Sequence, residues 1–213
     1  MPSNKERAQK ALEEISTEEA EKYLKELRES WEEVTKSLNR STIAYCLIVA
    51  LFELLIGSKQ ELRFTVAGFQ FANSATLQKA LPALAGYFYC SSMTYACKWL
   101  ACEEVFDAFY KKLRPQLYGQ DLEVELKPSA GPWNIGLHFP GDSGAQRFGF
   151  AIQLALGSMF LFIIPLAFAA HSAFLLIDKF GGGDVFTIFT ISLSGALVIA
   201  GMAYGLWDRE TRG

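Results

Sequence analysis

Two stretches of this 213-residue chain hold no Asp, Glu, Lys or Arg: Phe148 to Ile177, thirty positions long, and Val185 to Trp207. A helix rising about 1.5 Å per residue crosses a hydrocarbon core of roughly 30 Å in about 20 residues, so each stretch can span a bilayer. A surface helix of a water-soluble domain carries charge along one side, and these runs carry none. In lipid every backbone polar group must be satisfied internally, which leaves the helix as the form these segments take.

Two further segments fit the same role. Leu81 to Cys102 is apolar or small apart from Lys98, which lies beside Trp99, a residue suited to the headgroup level, and can snorkel to water from there. Thr42 to Gly57 covers only about 24 Å and is interrupted by Glu53, so it spans with tilt or local thinning of the bilayer. The expected fold is an all-α integral membrane protein. Four spans, at 42–57, 81–102, 148–177 and 185–207, follow an N-terminal head of residues 1–41 and enclose a loop at 103–147. Nine Lys and Arg flank the spans on the side of both termini against four on the other, which places the termini in the cytoplasm. Omitting the first segment leaves a three-span alternative, with the head and the long loop on opposite sides. The hydrophilic start lacks the pattern of a cleavable signal, so the first span is expected to act as an anchor, and a bacterial inner membrane is the expected setting.

The head holds 18 of the 43 charged side chains, eight basic and ten acidic, within a net charge of −3 for the chain. That balance argues against a nucleic-acid partner and against an anchor for anionic lipid. Ser16 and Glu19 have the spacing of a capping box between two helices. Beyond it Leu24, Leu27, Trp31, Val34 and Leu38 alternate at spacings of three and four, the seam of an amphipathic heptad helix. Such a seam folds back on the protein's own helices, docks a soluble cytosolic protein, or pairs with a second copy. In the long loop, Val105, Phe106, Phe109, Tyr110 and Leu113 mark a helix face ending before Pro115. Alternating runs at Leu122–Lys127 and Trp133–Phe139 then predict a small cytosolic β-hairpin, with Trp133 a further docking candidate. The uncharged segment Phe64–Phe71, between the first two spans, is expected to lie at the interface or dip partway in.

Chemistry-bearing residues are sparse. The four cysteines lie in or at the edge of spans, where they act as small apolar residues, and with two histidines in the chain no metal or cofactor set is expected. Gly141-Asp142-Ser143-Gly144 resembles the nucleophile motif of chymotrypsin-like serine proteases over four residues. That chemistry needs a histidine base and a buried aspartate on a far larger scaffold, so the activity is not carried over. Gly181-Gly182-Gly183-Asp184 lacks the Lys and Ser/Thr of a phosphate loop and reads as a turn. The chain is expected to be non-enzymatic.

The polar residues inside spans are Glu53, His171, Lys98 and Gln153, and such residues need partners. The helical rise puts Glu53 about 6 Å and His171 about 12 Å outward of their span midpoints, and Lys98 about 9 Å inward of its own. Glu53 and His171 are therefore matched in depth. They fix packing, or line a hydrated path in which His171 tunes Glu53. Pro165 predicts a bend in the third span. Ser192, Ala196 and Ala200 repeat every four residues, and Gly201 and Gly205 form a Gly-x-x-x-Gly pair; both allow close helix contact, within the bundle or in a homo-oligomer. This layout fits an oligomeric membrane protein that couples the lipid bilayer to a soluble cytosolic partner as a sensor, recruiter or scaffold, for instance in a bacterial stress or phage-defence system. The alternative is an ion or proton channel built around Glu53.

Overall fold

The computed structural model describes residues 4–57, 64–66, 69–71, 74–117, 127–128, 152, 155 and 157–210. Helix α1 covers Asn4–Glu14 and α2 covers Thr17–Gly57. Ser16 divides them by capping α2: its Oγ accepts the Glu19 N–H at 3.3 Å, and its own N–H donates to Glu19 Oε2 at 3.0 Å. Two donors that the helix start leaves orphaned are thereby satisfied reciprocally. The Glu19 carboxyl is held below its ordinary range by the Ser16 backbone N–H and then by the Ser16 hydroxyl.

After α2 come two three-residue strands, β1 (Phe64–Val66) and β2 (Phe69–Phe71), paired antiparallel with Phe64 opposite Phe71 and Val66 opposite Phe69. The aromatic segment expected at the interface thus contains a hairpin. Its Phe-Thr-Val and Phe-Gln-Phe triplets have the two-residue period of strands, in a run too short to stand out. The hairpin expected at 122–139 lies outside the described residues, apart from Lys127 and Pro128. Helix α3 runs from Ser74 to Leu113 with Pro82 inside it, and the chain then turns through Arg114–Leu117. A π-helical turn, Met159–Ile163, leads into α4 (Ile164–Phe180), and α5 covers Val185–Glu210. The helix expected to end at Ile177 therefore extends to Phe180. Asp178 and Lys179 sit in its last turn, where a cation is favourable at the negative end of the helix dipole.

Among the described residues, three helices are long and apolar enough to cross a membrane: Thr17–Gly57 through its C-terminal portion, Met159–Phe180 and Val185–Leu206. The α3 segment at 81–102, expected as the second of four spans, is diluted by Gly86, Ser91, Ser92, Thr94 and Lys98. Only 28%, 22% and 28% of the three apolar windows are buried inside the protein, so most of their large side chains face outward. Leu47, Leu54, Phe174, Val185 and Ile199 are all exposed. Water does not tolerate such a surface, and this one marks a membrane protein.

The chain forms two compact units. The first comprises residues 1–39, 93–157 and 203–213. Its core is aromatic: Trp31, completely buried, lies 5.3 Å from Trp99 and 5.5 Å from Phe106 between ring centroids, and Leu38 and Tyr110 complete the cluster. A second cluster joins Ala8, Leu12 and Ala20 to Phe109, fixing α1 against α3. Helix α1 has no basic residue in its last turn, and Lys112 Nζ of α3 donates to the Leu12 carbonyl at 2.6 Å in its place.

The second unit comprises residues 40–92 and 158–202. Phe52 meets Phe168 edge to face at 5.5 Å, while Ser92, Ser172, Thr187, Thr190 and Ser194 are buried between helices. Small hydroxyl residues at these contacts let backbones approach closely. The approach is tightest where α3 meets α5. A Cβ on Gly86 would lie 3.0 Å from the Ser194 carbonyl oxygen, and one on Gly201 would lie 2.9 Å from the Tyr89 ring.

Candidate functional site

Glu53 stands one turn before the end of α2, and His171 stands midway along α4. Their side chains meet, with His171 Nε2 3.4 Å from Glu53 Oε1. Both remain open, the histidine 52% and the carboxylate 45% exposed, on helices whose exposed side chains include Leu47, Leu54 and Phe174. Opposed groups of this kind, set among apolar side chains within an apolar helix pair, form a polar island.

The surrounding helix end is satisfied from other helices. Helix α2 carries no basic residue in its last turn. Gln78 Nε2 of α3 donates to the Leu55 carbonyl at 3.1 Å, and Lys179 Nζ of α4 approaches the Ile56 carbonyl at 3.5 Å. Sequence reasoning singled out neither Gln78 nor Lys179. The signal available was negative, an uncapped helix end, and it does not point to a distant residue. Lys98, in the first unit, is exposed, with its ammonium 5.9 Å from the Tyr95 ring. Gln153 lies outside the described residues.

At the turn between α4 and α5, Gly181 has φ of +84°, a conformation that favours glycine, and its N–H donates to Ile177 O at 2.9 Å. Asp184 caps α5 by accepting the Thr187 N–H at 2.7 Å, and Lys79 Nζ lies 2.9 Å from the same carboxylate and 4.4 Å from the Phe180 ring centre. The Thr187 and Lys79 hydrogen bonds hold the Asp184 carboxyl down at about 2.

In the first unit the heptad seam turns inward. Trp31 and Leu38 are buried in the aromatic cluster, and Leu24, Leu27 and Val34 pack against it. Of the readings open to the seam, its residues engage the chain's own α3. Trp133 lies outside the described residues. What remains open is a groove of about 560 Å³ lined by Ala8, Ala11, Ile15, Val105 and Phe109, with Tyr23 half-exposed and Arg7 and Glu19 at its edges. Nearby, Lys127 bridges Glu103 at 3.1 Å and Asp107 at 3.0 Å, two carboxylates one turn apart on α3. Burial works to lower the Lys127 ammonium, but the two carboxylates together outweigh it and raise the group above its ordinary value.

No family model, curated protein or solved structure matches this chain.

On α5, Gly201 faces Tyr89 and Cys90, and Gly205 faces the Met93 side chain, so this pair packs within the chain. Ser192, Ala196 and Ala200 are exposed on the opposite side. Among the described residues no cluster of His, Cys, Asp and Glu could hold a metal ion. The chemistry that Glu53 and His171 offer is hydrogen bonding and ion pairing.

Proposed function

We propose that this chain is a non-enzymatic, four-span, oligomeric membrane protein whose cytosolic head and long loop receive a soluble protein and hold it at the bilayer. The apolar groove between α1, α2 and α3 supports this reading most directly. The seam residues are spent on the protein's own core, so this groove is the surface left for a partner. Its apolar walls, edged by one cation and one anion, suit the apolar face of an amphipathic helix of mixed charge.

Ala11→Asp sets a charge in the groove without touching the Trp31 cluster. It is expected to release a soluble protein that co-purifies with the wild type while leaving the melting temperature within a few degrees; equal recovery from both proteins would refute the groove as the docking site. Topology is tested by cysteine labelling in intact cells. Gly182→Cys is expected to react from outside and Lys10→Cys only after permeabilisation, and labelling of both from one side would sink the four-span arrangement.

The contact of Glu53 with His171 favours a second reading, an ion or proton path lined by this pair. It requires that reconstituted protein conduct, and that Glu53→Gln abolish the current.

A further inference from the structure

We propose that a second copy of this chain covers the α2–α4 face around Glu53 and His171, across a two-fold axis along the membrane normal, so that Glu53 of each copy meets His171 of the other. This rests on the oligomeric part of the reading above and assigns it an interface.

Three observations carry it. Two ionisable side chains about half exposed stand on helices where the next residue after Glu53, Leu54, and the residue one turn after His171, Phe174, are 72% and 69% exposed, and a polar pair facing acyl chains is costly unless covered. The pair is also only half used. Glu53 engages one carboxylate oxygen and His171 one ring nitrogen, leaving Oε2 and Nδ1 with bonding capacity that lipid tails cannot meet. Finally, one face carries an acid and a base side by side, so it is complementary to itself. Rotation by 180° sets each carboxylate against the other copy's imidazole, which is the requirement of an isologous contact. A two-fold axis along the membrane normal also keeps all four groups at one depth. Around them Ala50 stands one turn before Glu53 and Ala167 one turn before His171, both exposed and both small enough to let backbones close in.

The neighbouring positions provide the first test. In a Cys46→Ser background, which removes the exposed native thiol of α2, Leu54→Cys in one tagged copy and Phe174→Cys in another are co-expressed and oxidised in membranes. A disulfide joining the two tags is expected. The second test follows the dimer fraction in nanodiscs by native mass spectrometry. Glu53→Ala and His171→Ala are each expected to weaken association by about tenfold or more, and the exchanged variant Glu53→His/His171→Glu is expected to restore it. Restoration by exchange is something a mere folding defect does not produce. Dimers indifferent to all three variants would place the interface elsewhere, such as on Ser192, Ala196 and Ala200, overturning this inference and leaving the oligomer standing. Monomers throughout would overturn both. A monomer that retains a phospholipid, lost in Glu53→Ala, would make a lipid headgroup the occupant and would likewise overturn the proposal.

Discussion

Tyr89 donates its hydroxyl to the Leu161 carbonyl at 2.7 Å, across 72 residues of sequence. Leu161 stands four residues before Pro165, whose ring nitrogen has no hydrogen to return to that carbonyl. The π-helical turn at Met159–Ile163 adjoins the same proline and absorbs the extra residue of the distorted ladder. A tyrosine on one helix thus repairs what a proline breaks on another. Tyr89→Phe is expected to destabilise the protein by about 1 kcal/mol, and the same substitution in a Pro165→Ala background by much less, since alanine supplies the missing N–H. Thermal unfolding of the four proteins in detergent measures the coupling, and additive effects would refute it.

The close passage of α3 and α5 gives a graded test on glycines. Gly86→Ala pushes a methyl group to 3.0 Å from the Ser194 carbonyl oxygen, where only backbone can yield. A loss of about 1–3 kcal/mol is expected, as for other overpacked sites. Gly195→Ala, with nothing within 4 Å of its new carbon, is expected to be neutral or to stabilise by up to about 1 kcal/mol through helix propensity. Gly205→Ala meets only the terminal methyl of Met93, which can swing aside, so its cost should fall between the two. Unfolding midpoints that do not rank in this order would contradict the helix contact.

Local signals made the helical plan legible. The charge-free runs mark α4 and α5, Ser16 and Glu19 mark the start of α2, and Pro115 marks the end of α3. Depth counted along the helices also pairs Glu53 with His171, because a regular rise makes sequence position a ruler. What stayed hidden was non-local. Nothing in the residues around Gly57 names Gln78 or Lys179 as the groups that meet its carbonyls, and nothing near Glu14 names Lys112. The heptad seam of Trp31 reads identically whether its partner is α3 or another protein, since periodicity gives a face and not an occupant. The strands at Phe64–Phe71 are too short for alternation to stand out against an uncharged aromatic run.

Asp184 ties the start of α5 to Lys79, and its carboxyl is held down from about 3.8 to about 2 by hydrogen bonding first from Thr187, whose N–H it accepts, and then from Lys79. A depressed carboxyl contributes stability that is fully present above its unfolded value and lost as pH falls through the folded one. The Asp184 contribution is therefore complete above about pH 4 and disappears between about pH 3.8 and 2. Asp184→Asn keeps a capping side chain but cannot pair with Lys79. Its melting temperature is expected to lie below the wild type at pH 6 and to converge with it near pH 2. A gap that stays constant across that range would show that the carboxylate charge is idle.

Among the described residues Trp31 is the largest completely buried side chain, and its ring joins residues of α2 to Trp99 and Phe106 of α3. Trp31→Ala removes that joint and leaves a cavity, at a cost of about 3–5 kcal/mol. The loss should fall unevenly, because the cluster serves the first unit whereas the membrane helices are held by contacts such as Phe52 with Phe168. Trypsin should then cut at Lys22, Lys25 and Arg28 in Trp31→Ala at concentrations that leave the wild type whole, while a stable fragment containing α4 and α5 persists. Trp31→Phe, which keeps an aromatic ring in contact with Trp99, is expected to recover most of the protection. If Trp31→Ala is cleaved no faster than the wild type, the aromatic cluster does not hold the head, and the seam is then free to serve a partner instead.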